Sequence, residues 1–226
     1  MKQTVVFFDI NETVLNLNPL RPKFRQYFGS ESYMETWFAM LLHASTVCLA
    51  TSVNTNFKHL SKAALLSLAG RNAVTMTDKE CDDLLGTFAN LPVHSDVIPA
   101  INRLRDAGLI VAALSNSSQT LLNAQLTNAG IIHLFDRVIS VESAETFKPA
   151  HEAYQLALIT MDVNASSAYL VATHDWDTHG AMSAGLNAAF INRFKAPYNA
   201  LYKQPAIHGE TMTGVVEQII AQSPVQ

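Results

Sequence analysis

Cysteine is almost missing from this sequence. Only Cys48 and Cys81 occur, 33 positions apart, with no CxxC pair and no nucleophile signature around either. That excludes a disulfide framework and suits two reduced thiols in a cytoplasmic protein. Charge is scarce as well: Asp, Glu, Lys and Arg make up 15% of the chain and hydrophobic residues 49%, where roughly a quarter charged is usual. With 15 basic against 19 acidic residues the net charge is -4, so no cationic surface is predicted for nucleic acid or anionic lipid. The expected partners are a small molecule and a second copy of the chain, the surplus apolar surface pointing to a homodimer. No internal repeat, low-complexity tract or Gly-rich phosphate loop occurs.

Long hydrophobic runs are also few. WFAMLLHASTVCLATSV, residues 37–53, approaches the length of a membrane span, but it carries His43, Ser45, Thr46, Thr51 and Ser52, which are costly in lipid. A helix buried in protein is the expectation, with no membrane role. The first residues, MKQTVVFFDI, pair one Lys with four strongly apolar residues and then an acid. They read as a strand and not as a signal peptide.

What is present is alternation. The runs 4–9, 109–115, 137–141, 168–173 and 187–191 are short and rich in β-branched and other apolar residues, as parallel strands covered on both faces require. Between them DVIPAINRLRDAG, SQTLLNAQLTNAG and PAHEAYQLALITM place apolar residues at helical spacing, and Gly108 and Gly130 close the first two. The fold class is therefore α/β, a Rossmann-like doubly wound parallel sheet. Residues 16–92 interrupt the pattern with helical stretches at 20–28, 32–52, 55–69 and 78–89 and no central strand. That length calls for an inserted helical cap domain, leaving 1–15 and 93–226 as the core.

In such sheets ligands sit beyond the carboxyl ends of the strands, and the polar clusters fall there. Asp9, Asn11 and Thr13 follow the first strand, and Ser115, Asn116, Ser117 and Ser118 the second. Lys148 in ETFKPAHEAY lies beyond the third, and Thr173, His174, Asp175 and Asp177 follow the fourth. Singly, each has a plain role as a turn, cap or solvated residue. In this order FDINETV, LSNSS, KPAHEAY and HDWDTHGAMSAG resemble the haloacid dehalogenase superfamily over nearly the whole chain.

Asn11 narrows the resemblance. Phosphatases of that superfamily typically carry Asp two residues after the nucleophile, to protonate a leaving alcohol and deprotonate water; Asn does neither. A halide leaves without a proton. The fourth motif, anchored on Asp177, puts Ala172 and Thr173 where phosphatases have Gly and a Mg²⁺-binding Asp. The sequence is thus most similar to the type II 2-haloacid dehalogenases. The resemblance implies displacement at a halogen-bearing carbon by Asp9, an Asp9 ester, and its hydrolysis to a 2-hydroxy acid, with no cofactor.

By matching position the resemblance assigns Thr13 to orient Asp9, Lys148 to keep it ionised, and Asp177 to hold Lys148 or activate water, a task His174 could also take. Asn11, Ser115, Asn116, Tyr154, His174 and Trp37 become the substrate-binding set. Two departures stand out. Known members carry an Arg shortly after a cap Trp, to receive the halide, whereas Phe38 and Ala39 follow Trp37 here. They usually have Asn where His174 stands, which makes this chain similar to a divergent branch that also carries Asn-Glu-Thr after the nucleophile. The alternatives are a Mg²⁺-dependent phosphatase, with Asp175 substituting for the missing metal carboxylate, and a non-enzymatic binding protein on the same fold; His174 and His179, with the two Asp between them, are a separate candidate metal cluster.

Overall fold

A computed structural model describes residues 3–223. Among them six parallel strands form one sheet: β1 (Val5–Phe8), β2 (Ile110–Ser115), β3 (Arg137–Ser140), β4 (Ala168–Ala172), β5 (Asn187–Ile191) and β6 (Ile207–Gly209). Their order is β3-β2-β1-β4-β5-β6. The chain steps outward from β1 to β2 and β3, then returns to lay β4 on the other side of β1. The crevice where direction reverses lies at the carboxyl ends of β1 and β4, the position favoured for ligands in open sheets.

The apolar runs become strands because both faces of the sheet are covered. Val6 and Phe8 of β1, Val111 and Ala113 of β2, and Val171 of β4 pack into one apolar cluster. Val5 and Phe7, Ala112 and Leu114, and Leu170 and Ala172 pack into another on the opposite side. This period of two, with both positions apolar, is why the runs read as continuously hydrophobic. Helices α5 (Val97–Asp106), α6 (Gln119–Asn128), α7 (His151–Thr160), α8 (Asp175–Ser183) and α9 (Met212–Gln222) complete the layers. Gly108 and Gly130, both at positive φ, follow α5 and α6 as the sequence suggests. Three of these elements carry no pattern that the sequence reading picked out: α8, whose HDWDTHG start reads as a polar cluster, β6, which is three residues long, and α9.

Four helices fill the interval between β1 and β2: α1 (Arg21–Phe28), α2 (Tyr33–Ala50), α3 (Phe57–Arg71) and α4 (Asp78–Thr87). The chain leaves and returns side by side, with Asn16 N–H donating to the Pro92 carbonyl (2.8 Å) and His94 N–H to Val14 (3.0 Å). The insertion's apolar residues, Phe24, Trp37, Leu41, Leu65 and Leu84 among them, are continuous with the layer over one sheet face. The run 37–53 lies mostly in α2, whose Met34, Trp37, Phe38, Leu41 and Ser45 are buried. Among the described residues no helix is long and apolar enough to cross a membrane.

Candidate active site

Beyond β1 the chain turns tightly. Val14 and Leu15 N–H groups both donate to the Ile10 carbonyl, at 2.9 and 2.8 Å, and Glu12 takes a left-handed conformation with φ 67°. The turn brings Thr13 back over Asp9. Thr13 Oγ1 donates to Asp9 Oδ2 (2.6 Å) and accepts from the Thr173 N–H (3.0 Å), tying the ends of β1 and β4 together.

Lys148 enters from beyond β3 and is 1% exposed. Its ammonium donates to Asp9 Oδ1 (2.8 Å), Asp177 Oδ2 (2.6 Å) and the Leu114 carbonyl (3.1 Å), so all three N–H bonds are used. Asp177, on the first turn of α8, is itself held on Oδ1 by the Tyr154 hydroxyl (2.6 Å). Burial pushes the Asp9 carboxyl up, but Lys148 and His174 outweigh it and hold the group well below the usual carboxylate range. Burial likewise pulls Lys148 down, and Asp177 and Asp9 more than restore it. Asp177 is raised, by burial first. Asp9 is therefore held ionised by its cationic neighbours.

His174, directly before α8, completes the cluster. Nε2 lies 2.8 Å from Glu12 Oε2. Nδ1 lies 3.3 Å from Asp9 Oδ2, an ionic contact that is not an aligned hydrogen bond. Its ring stacks on Trp176, with centroids 5.2 Å apart and planes 27° apart. Burial lowers the imidazole, but its contacts with Asp9 and Glu12 prevail and push its pKa up to about 10.

A small cavity opens over Asp9, lined also by Asn11, Phe38, Leu42, Phe57, Asn116, Lys148, His174 and Trp176. Its basic groups, Lys148 and His174, both lie beyond strands of the sheet; the helices between β1 and β2 supply Phe38 and Leu42 from α2 and Phe57 from α3. Asn116 Oδ1 accepts from the Lys148 N–H (2.8 Å). Its amide nitrogen, buried and without a protein acceptor among the described residues, is the donor left for a ligand. Asn11 is locked, with Nδ2 donating to Ser117 Oγ (3.1 Å) and Oδ1 accepting from Gln125 Nε2 (3.0 Å).

Asp9, Thr13, Lys148, Asp177, Asn11, Asn116 and His174 thus come together as the sequence suggests. Three expected substrate contacts do not reach the cavity wall. Trp37 is fully buried within the insertion, its Nε1 donating to the Ser61 carbonyl (3.0 Å) and its ring packed against Phe24, Phe38 and Phe88. Tyr154 lies behind Asp177 and touches the site only through it. Ser115 Oγ accepts from the Ser117 N–H (3.1 Å), turned into its own loop. Glu12, Gln125, Phe57 and Trp176 escaped sequence reasoning. Glu12 sits inside the FDINETV motif, but a lone acid in a turn carries no signal until its partner is seen.

The oxygen donors do not fit a hard cation. Thr173 offers a hydroxyl and no carboxylate, and Asp177 already serves Lys148 and Tyr154. Asp175 accepts from the Trp176 and Asn199 N–H groups. His179 stacks on Tyr202 and accepts from the Lys203 N–H. Among the described residues no group of three or more His, Cys, Asp or Glu is placed to hold a metal.

Comparison with known proteins agrees with this geometry. The (S)-2-haloacid dehalogenase of Pseudomonas fluorescens is 25% identical over 200 residues, 88% of each chain. The haloacetate dehalogenase H-2 of Moraxella sp. (strain B) is 29% identical over 160 residues, 67% of this chain and 71% of that one. The solved structure of the L-2-haloacid dehalogenase RSc1362 superposes with a TM-score of 0.91 at 26% identity, covering 97% of this chain and 99% of that one. Residues 3–185 match the family of haloacid dehalogenase-like hydrolases, and the protein belongs to that family.

Proposed function

We propose that the protein is a hydrolytic dehalogenase that converts short 2-haloacids to 2-hydroxy acids without a metal. One oxygen of Asp9 attacks the carbon bearing the halogen, the carbon–halogen bond breaks with its electron pair leaving on the halide, and an Asp9 ester forms. Water then hydrolyses the ester. Dividing the substitution in two gives each step a lower barrier than direct attack by water.

Asn11 carries this reading. The residue two positions beyond the nucleophile is an amide locked by Ser117 and Gln125, with no acid function for a leaving alcohol. A halide needs none. Lys148 and Thr13 aim and hold the Asp9 carboxylate, and Asp177 with Tyr154 behind it fixes Lys148. The Asn116 amide nitrogen offers a donor to the substrate carboxylate, and Phe38, Leu42, Phe57 and Trp176 form an apolar wall for the halogen. The (S)-2-haloacid and haloacetate dehalogenases among its relatives act on substrates of this size and charge.

In the same reading the helical insertion is the cap over Asp9, the protein works in the cytoplasm with Cys48 and Cys81 reduced, and two copies associate through the insertion. Val47 and Val53 near the end of α2 and Leu66 on α3 are 43%, 53% and 45% exposed, an apolar surface that supports such a contact.

The test is to incubate purified protein with chloroacetate, 2-chloropropionate and fluoroacetate in metal-free buffer and measure halide. Release from at least one is expected. No halide from any of them, together with Mg²⁺-dependent hydrolysis of a phosphate ester, would replace this reading with a phosphatase.

A further inference from the structure

Three consecutive carbonyl groups of the turn after β1 accept hydrogen bonds from residues that do not line the cavity. Nε2 of the His94 ring meets the Glu12 carbonyl at 3.0 Å, Arg193 Nε donates to the Thr13 carbonyl at 2.8 Å, and the His94 N–H donates to Val14 at 3.0 Å. A carbonyl only accepts, so Nε2 of His94 carries the proton. Leu15 extends the row by bridging to Val93. The turn is thus registered along its length against the chain returning from the helical insertion, and Arg193 ties it to the end of β5.

Arg193 is itself held. Its Nη2 lies 3.0 Å from Asp96 Oδ1 and its Nη1 3.4 Å from Oδ2, and Oδ2 also accepts from the Met212 N–H at 2.8 Å. The two side chains are only 10% and 22% exposed. Burial pushes the Asp96 carboxyl up, but the Met212 N–H and Arg193 more than offset it, so the pair is charged on both sides. One ion pair therefore joins the turn after β1 and the end of β5 to the starts of α5 and α9.

The turn needs such a hold. Glu12 is left-handed, with φ 67°, and a non-glycine residue stays in that region only where its surroundings impose it. The donors on the carbonyls of residues 12, 13 and 14 supply the constraint. What the turn presents is the Thr13 hydroxyl, 2.6 Å from Asp9 Oδ2.

We propose that Arg193, held by Asp96, is a positioning residue for the displacement step: it fixes the Thr13 backbone and, through the Thr13 hydroxyl, the orientation of the Asp9 carboxylate. This rests on the dehalogenase reading. Arg193 does not line the cavity, and Nε and both terminal nitrogens are engaged within the protein, so its effect reaches the substrate only through Thr13 and Asp9. A planar fork suits this task, because it meets the Asp96 carboxylate and the Thr13 carbonyl in one fixed geometry. The substrate-facing groups lie elsewhere, at Asn116 beyond β2 and on α2, α3 and α8. Disturbing Arg193 should therefore slow the reaction without weakening substrate binding.

The experiment is single-turnover halide release from 2-chloropropionate by wild type, Arg193→Lys, Thr13→Val and the double variant. Enzyme is kept in excess at increasing concentration, which separates the maximal rate of displacement from half-saturation. Arg193→Lys keeps a cation beside Asp96 but has one nitrogen in place of three. It is expected to lower the maximal rate about 10²-fold, the effect of about 1 Å of misplacement, while half-saturation moves less than about 2-fold. In the Thr13→Val background, where the hydroxyl that relays the effect is gone, the same substitution should cost less than about 2-fold more. Asp96→Asn keeps the size and removes the charge that holds the guanidinium; it should show the same pattern at smaller amplitude, and it serves if Arg193→Lys does not fold. An unchanged rate, a loss that falls on half-saturation, or an equal loss with and without the Thr13 hydroxyl would overturn the proposal. A wild-type protein that releases no halide from any haloacid would instead overturn the dehalogenase reading beneath it.

Discussion

Lys148 Nζ donates to Asp9 Oδ1 across 2.8 Å, although 139 positions separate the two in the chain. The same ammonium bridges to Asp177 at 2.6 Å, and all three side chains are nearly sealed from solvent. Substituting Lys148→Met preserves much of the volume and removes the charge, leaving two buried carboxyl groups with no shared cation. The expected loss is about 3–5 kcal/mol of unfolding free energy, measured by denaturant titration, together with loss of halide release. Unchanged stability would mean that the bridge contributes nothing to the fold.

Gly180 makes room for that bridge. A Cβ added there would lie 2.6 Å from the Tyr154 hydroxyl and 2.6 Å from Pro149 Cβ, far inside van der Waals contact. Gly180→Ala must displace Tyr154 from Asp177, at a cost of about 1–3 kcal/mol from overpacking. Tyr154→Phe removes the same hydrogen bond without the clash and costs about 1–3 kcal/mol through the acceptor left unsatisfied. Thermal denaturation of the two variants should show both losses, and kcat should fall more than KM changes because neither residue reaches the cavity.

The His174 pair makes stability depend on alkaline pH. Its pKa is raised in the folded protein to about 10, above the roughly 6.5 of an unfolded chain. The folded state therefore binds the proton more tightly, and this contribution is fully present below about pH 6.5 and lost as pH rises toward about 10. Thermal midpoints of wild type should fall across that window more steeply than those of His174→Gln. Parallel curves would show that the imidazolium adds no stability.

Much of the site could be read from the sequence because its parts sit at strand ends, and a strand end is legible. Val5–Phe8 announces Asp9, Ile110–Ser115 announces Asn116, and Ala168–Ala172 announces the HDWD segment. What the chain order does not encode is where a side chain turns afterwards. Ser115 folds into its own loop, and Trp37, assigned by the resemblance to the substrate-binding set, is absorbed by an aromatic cluster in the insertion. Glu12 was invisible for a related reason: its partner lies 162 positions away. The strand β6, three residues beside β5, holds its place by pairing and not by an intrinsic pattern.

Association through the insertion has a direct check. With Val47, Val53 and Leu66 exposed, sedimentation at micromolar concentration should give twice the monomer mass, and Leu66→Glu with Val47→Glu should give the monomer. A monomer in the wild type would place that apolar surface in some other role.

The central claim is that Asp9 is the nucleophile and becomes an ester. A single turnover in H₂¹⁸O with enzyme in excess over a 2-haloacid measures this most directly, followed by peptide mass analysis of the segment containing Asp9 and of the hydroxy acid product. The account predicts ¹⁸O in the Asp9 carboxylate and none in the product of that first turnover. Label in the product, with Asp9 unlabelled, would mean that water attacks the substrate directly and would contradict it.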